Sequence, residues 1–112
     1  MKNIKVEKQG NAQLITVDGD IEFDDADNLE KKFDLILNHE KSNIIIDLSS
    51  CKYIDSHGLA CLANGHKHFK EKDRHFILCN LQDGLPEIFS LTSISKYLRI
   101  SGSLDQAISI AA

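Results

Sequence analysis

The tetrapeptide Asp55-Ser56-His57-Gly58 holds the densest chemistry in the chain. A hydroxyl stands between a carboxylate and an imidazole. Just upstream lies the β-branched run Asn43-Ile44-Ile45-Ile46-Asp47-Leu48, which reads as a strand buried on both faces. The polar turn Ser49-Ser50-Cys51-Lys52 and the pair Tyr53-Ile54 lead from it to the start of a helix. A strand that feeds a helix through a loop exposes backbone N–H groups and partial positive charge, a natural seat for an anion. Three roles for Ser56 are open. As a cap it would satisfy a helix N–H. As a nucleophile it would need a strand–turn–helix elbow, yet an aspartate precedes it and the glycine falls two residues after it, unlike G-x-S-x-G. His57, its sequence neighbour, is also poorly placed to reach round as a base. As a phosphoacceptor it would gain nearly two negative charges beside Asp55, tolerated at a helix N-terminus. Such a change can abolish docking without unfolding anything.

Other residues carry weaker signals. His57 and Cys61 stand four apart on the same helix, and His68 shares their side by angle. However, His68 lies roughly 10 Å further along the axis, too far for one ion. No metal site is expected. Cys51 and Cys79 read as small buried hydrophobes, and His66 as a core or boundary histidine in an apolar stripe. The stretch Asp18–Asp27 holds six acids in ten residues. These fit no EF-hand loop. They read either as a solvated loop with helix N-terminal charge or as a surface that steers a basic partner. The glycines are scattered rather than gathered into a phosphate loop, so no cofactor is expected.

Composition narrows the classes further. At 112 residues, 42% hydrophobic and 27% charged, the chain is expected to form one domain spanning 1–112 with its own core. The net charge of −4 argues against nucleic acid or an anionic membrane as the main partner. No stretch approaches the roughly 18 apolar residues of a membrane span. The start Met1–Lys8 lacks an apolar signal core, and three cysteines without CxxC spacing suit a reducing compartment. A cytoplasmic protein, monomer or weak dimer, is expected.

The elements that must position Ser56 follow from periodicity. Ile4 and Val6 alternate with charged neighbours, Gln9-Gly10-Asn11 turns the chain, and Leu14–Val17 returns as a second strand. Asp18-Gly19-Asp20 forms a tight turn, with Ile21 and Phe23 continuing extended and Asp24 or Asp25 capping a helix. That helix carries Ala26, Leu29, Phe33, Ile36 and Leu37 on one face and ends near Asn38-His39. The next runs from about His57 to Glu71, with Leu59, Leu62, His66 and Phe69 inward and Ala60, Asn64, Lys67 and Glu71 outward. Asp73-Arg74 breaks the pattern before a buried strand at His75–Cys79. Gly84-Leu85-Pro86 starts a third helix, with Leu85, Ile88, Phe89 and Leu91–Ile94 as its apolar side. Tyr97–Ile100 is a short final strand, and Ser103 caps a last helix. Strands alternating with helices give an α/β fold, a mixed central sheet covered by about four helices.

Taken in order, Val17-Asp18-Gly19-Asp20-Ile21, Ile46-Asp47-Leu48-Ser49 and Tyr53-Ile54-Asp55-Ser56-His57-Gly58-Leu59 resemble the STAS domain. The similarity is to the bacterial anti-sigma-factor antagonists in particular. It extends through Leu81–Ile100 and Asp105-Gln106-Ala107, nearly the whole chain. It implies a binding module rather than an enzyme. In that family the serine after the loop aspartate, here Ser56, is phosphorylated by a GHKL-fold kinase that is also the anti-sigma factor. The unphosphorylated antagonist binds the kinase and frees the sigma factor, and a PP2C-type phosphatase resets the switch. The resemblance further implies a partner surface of Asp20, Glu22, Asp55, Ser56, His57, Gly58, Ala60 and Asn64. His57 stands where the family most often has a small residue, and Glu22 replaces a common aspartate. STAS domains also serve as constitutive, unphosphorylated subunits of regulatory or lipid-transport assemblies, and in such a subunit Ser56 would only cap its helix.

Overall fold

In the computed structural model the chain is described over residues 3–90 and 98–111. Strand β1 (Asn3–Gln9) turns at Gly10-Asn11 into β2 (Ala12–Asp18), pairing antiparallel with Ile4 opposite Val17 and Val6 opposite Ile15. Gly10 makes this turn with φ of +59°, a conformation open mainly to glycine. Helix α1 (Phe23–His39), β3 (Asn43–Asp47), α2 (Ser56–Glu71), β4 (Phe76–Cys79), α3 (Leu85–Ser90), β5 (Arg99–Ser101) and α4 (Leu104–Ala111) then alternate. The sheet order is β1-β2-β3-β4-β5, parallel from β2 onward.

Strand alternation divides the buried residues into two layers. Ile15, Val17, Ile44, Ile46, Phe76 and Leu78 face α1 and α2, meeting Leu29, Phe33, Ile36, Leu62 and Phe69. Ala12, Leu14, Ile45, Ile77 and Cys79 face α4 through Ala107 and Ala111. β3 is apolar on both sides because both layers close on it. Gly65 lets α2 lie against the sheet: a Cβ there would come within 2.7 Å of Phe76 and 3.0 Å of Phe33. Arg74 fastens the end of α1. Its Nε donates to the Ser42 carbonyl at 2.9 Å, Nη1 to Leu37 at 2.9 Å and Nη2 to Ile36 at 3.0 Å, and the guanidinium sits 4.7 Å over the Phe69 ring.

The α/β architecture, the mixed sheet and the four helices among the described residues match the expectation, and Ser103 caps α4 by accepting from Gln106 N at 3.2 Å. Local boundaries differ. Phe23 is the first residue of α1 rather than the end of an extended segment, and Glu22 occupies the cap position. Asp25, three residues on, bonds back to Glu22 N at 3.0 Å, so neither Asp24 nor Asp25 is the cap. A capping box satisfies the helix start two or three residues earlier than the aspartates suggested. The last strand begins at Arg99. The apolar side assigned to Leu91–Ile94, and Tyr97 as a strand residue, lie outside the described residues.

Candidate functional site

Two segments far apart in the chain are stitched together at the C-terminal end of β3. Asp20 follows Gly19, whose φ of +122° turns β2 aside. Its Oδ1 accepts from Lys52 N at 2.8 Å and from Tyr53 N at 3.0 Å. Next to it Ile21 N donates to the Tyr53 carbonyl and Asp55 N donates to the Ile21 carbonyl, both at 3.0 Å, a one-residue parallel bridge between Ile21 and Ile54. Both isoleucines are buried. The loop from Ser49 is held at its other end by Asp47, which accepts from Ser49 N at 2.9 Å.

This stitching aims the start of α2. Asp55 is its N-cap, with extended backbone and Oδ1 accepting from Gly58 N at 2.8 Å. The role of cap is therefore taken by Asp55, and Ser56 is the first helical residue. Its side chain is exposed and bonds to none of the described residues. Gly58 is buried under the bridge: a Cβ there would lie 2.6 Å from Ile54 Cγ2 and 2.8 Å from Ile21 Cγ2. His57 is exposed and packs edge-on against Phe23 at the start of α1, ring centroids 4.4 Å apart.

The residues expected at a partner surface thus divide by position. Glu22, Ser56, His57, Ala60 and Asn64 are exposed, and Ser56, Ala60 and Asn64 follow one line along α2 at helical spacing. Asp20 and Asp55 are half-buried and hold backbone; Gly58 is buried and permits close packing. Two exposed aromatics complete the rim without having been singled out for it. Phe23 is 56% exposed and Tyr53 49%. The alternation of Ile21 and Phe23 reads as extended chain and masks the place of Phe23 in α1. A Glu-x-x-Asp box would have placed it, but glutamate is a weak cap signal. Within the acidic run, Asp20, Glu22 and Asp25 have structural partners while Asp18, Asp24 and Asp27 remain exposed.

The other candidates stay apart. Cys61 is buried and donates to the Ala26 carbonyl at 3.3 Å, and burial, helped by Glu30, Asp27 and Asp34, pushes its thiol up to about 12. Cys79 is likewise pushed up to about 12 by burial and Asp47. Among the described residues no three His, Cys, Asp or Glu side chains are grouped to hold a metal. Nor is any described helix long and apolar enough to cross a membrane.

Known proteins resemble the chain in sequence and in fold. An anti-sigma-B factor antagonist of Listeria monocytogenes is 27% identical over 86 residues, covering 77% of this chain and 75% of that protein. The crystal structure of a putative anti-sigma factor antagonist from Thermotoga maritima superposes with a TM-score of 0.87 at 20% identity, covering 96% of this chain and 93% of that one. The Bacillus cell fate determinant SpoIIAA in its phosphorylated form superposes with a TM-score of 0.74 at 13% identity, over 98% and 100% of the two chains. The family model of the STAS domain matches residues 3–107, and the chain belongs to that family.

Proposed function

We propose that the protein is an anti-sigma-factor antagonist, a binding module switched by phosphorylation of Ser56. The observation that carries this reading is the state of Ser56: exposed, at the first position of α2, with the capping role already filled by Asp55. A capping serine would be engaged with backbone; this one is available to a kinase. Unphosphorylated, the rim of Glu22, Phe23, Tyr53, Ser56, His57, Ala60 and Asn64 docks a GHKL-fold serine kinase that doubles as anti-sigma factor. The similarity to the Listeria antagonist and to a fold solved in phosphorylated form supports the same reading. A phosphate on Ser56 adds about −1.5 to −2 charges beside Asp55. The positive end of α2 accommodates it at a gain of about 0.3–1 kcal/mol, so the surface changes while the fold persists. A PP2C-type phosphatase restores the docking form. His57 is drawn onto Phe23, which gives the imidazole a place beside the serine.

Incubation with a GHKL-fold kinase and ATP, followed by intact mass and peptide mapping, tests the switch. One phosphate adduct on Ser56 is expected, and none on Ser56→Ala. Ser56→Asp should weaken kinase binding by about tenfold or more, as expected when a buried interface gains an unpaired charge, with an unchanged far-UV circular dichroism spectrum. An adduct mapped elsewhere, or a Ser56→Asp protein that binds as wild type, overturns it.

A further inference from the structure

At the end of the sheet away from Ser56, a cleft of about 330 Å³ opens between the last turns of α2 and the starts of β4 and β5. Lys70 lies 14 residues beyond Ser56 on α2, about 20 Å along its axis, so the two regions do not overlap. The chain carries a net charge of −4, yet this cleft is positive. Lys70 contributes from α2, Arg74 from the turn before β4 and Arg99 from β5, against one acid, Asp73, and the imidazoles of His66 and His75 line the same cleft. Arg74 is already engaged with three backbone carbonyls and the Phe69 ring, so it supplies fixed charge rather than free donors. Lys70 and Arg99 differ. Among the described residues neither has a carboxylate partner. Burial first, and then the fields of Lys70 and Arg99, push the His66 imidazole below the ordinary histidine range. Both cations thus act on His66, and Asp73 is the one acid among the described residues that line the cleft.

We infer that this cleft is a second site, one that takes the phosphate group of a small phosphorylated molecule between Lys70 and Arg99, with His66 as third donor. The assignment to phosphate rests on charge and shape. Two cations without a carboxylate partner among the described residues match a dianion, and a guanidinium fork matches tetrahedral oxygens bidentately. A volume near the lower end of roughly 300–1,000 Å³ for small-molecule sites leaves room for a small organic portion beside the phosphate. The groups facing His66 are Lys70 on its own helix, Asp73, Arg74 and His75 on the turn, and Arg99 on β5. A bound dianion reverses the balance among them and draws a proton onto His66.

The test is a titration followed by the His66 ring signals in a carbon–proton NMR spectrum, assigned by their loss in His66→Gln. Inorganic phosphate, pyrophosphate and phenyl phosphate are each added at ionic strength matched with sodium chloride. Saturable shifts are expected with the phosphates and not with chloride, together with a rise in the His66 pKa. Tighter saturation by phenyl phosphate marks a phosphomonoester site and tighter saturation by inorganic phosphate a free-anion site; either supports the inference. Lys70→Gln and Arg99→Gln, both at exposed positions, should each weaken binding by about tenfold or more, the effect of one charge-assisted hydrogen bond. Ser56→Asp should leave it unchanged. Absence of saturation up to about 10 mM, an equal response to chloride, or unaltered binding in both glutamine variants overturns it.

Discussion

Asp20 offers the sharpest test of how the site is built, because two roles for it predict opposite behaviour. As a surface charge read by a partner, it would matter for its charge. As the clamp seen here, it matters as an acceptor for Lys52 N at 2.8 Å and Tyr53 N at 3.0 Å. A hydrogen bond to a charged group contributes about 1.5–3 kcal/mol. Here both bonds share one oxygen, and Lys52 and Tyr53 are exposed, so water can replace the lost acceptor. Those two facts reduce the figure to about 1 kcal/mol per bond, and Asp20→Ala should cost about 2 kcal/mol. Asp20→Asn keeps an acceptor of the same shape and loses only the charge assistance, roughly half the strength, so it should cost about 1 kcal/mol. Urea titration reads the global loss, and hydrogen exchange at the Lys52 and Tyr53 amides reads the local one. Exchange there should quicken about tenfold or more in Asp20→Ala, at 1.4 kcal/mol per factor of ten. If Asp20→Ala leaves both measurements at wild-type values, or Asp20→Asn is as damaging as Asp20→Ala, the clamp is wrong.

Three further outcomes follow from the packing. Gly58→Ala gains about 1 kcal/mol of helix propensity at most. The new Cβ meets Ile54 at 2.6 Å and Ile21 at 2.8 Å, two buried β-branched residues with little freedom to rotate. Overpacking of about 1–3 kcal/mol should win and lower the urea midpoint; a raised midpoint would contradict the contact. Arg74→Lys replaces a fork on the Ile36, Leu37 and Ser42 carbonyls by a single ammonium, and should cost about 2 kcal/mol with faster exchange in the last turn of α1. Cys61 and Cys79, both held up to about 12, and buried Cys51 should resist iodoacetamide at about pH 8 in the native protein and all react in urea. Native adducts on Cys61 or Cys79 would refute that.

Much of the framework was legible because it rests on local pattern. The apolar run at 44–46 announced a strand covered on both faces, and the Leu29, Phe33 and Ile36 spacing announced the buried side of α1. Asp55-Ser56-His57-Gly58 was correctly placed at a helix start, but three polar residues in a row left the cap ambiguous. Only the Asp55–Gly58 bond decides it. What stayed hidden was long-range. Asp20 reaches across 33 residues to a backbone amide, and nothing in its neighbourhood distinguishes it from the other acids of that stretch. Arg74 read as a break in the apolar pattern, whereas its side chain secures a helix end 37 residues earlier. Such side-chain-to-backbone contacts leave no periodic trace, since each depends on where the finished sheet brings two loops.

The Ile21–Ile54 bridge also bears on how the chain folds. Joining its two halves closes a loop of more than thirty residues, at an entropic cost of about 3 kcal/mol. That cost is recovered only once α1 has docked and β3 has paired with β2. The bridge and the residues around it are therefore expected to assemble late, as non-local pairings generally do. A nascent or truncated chain that stops short of Ile54 has neither the bridge nor the helix start it orients. Any partner that reads this surface accordingly tells completed molecules from unfinished ones, so competence to bind doubles as a report of successful folding.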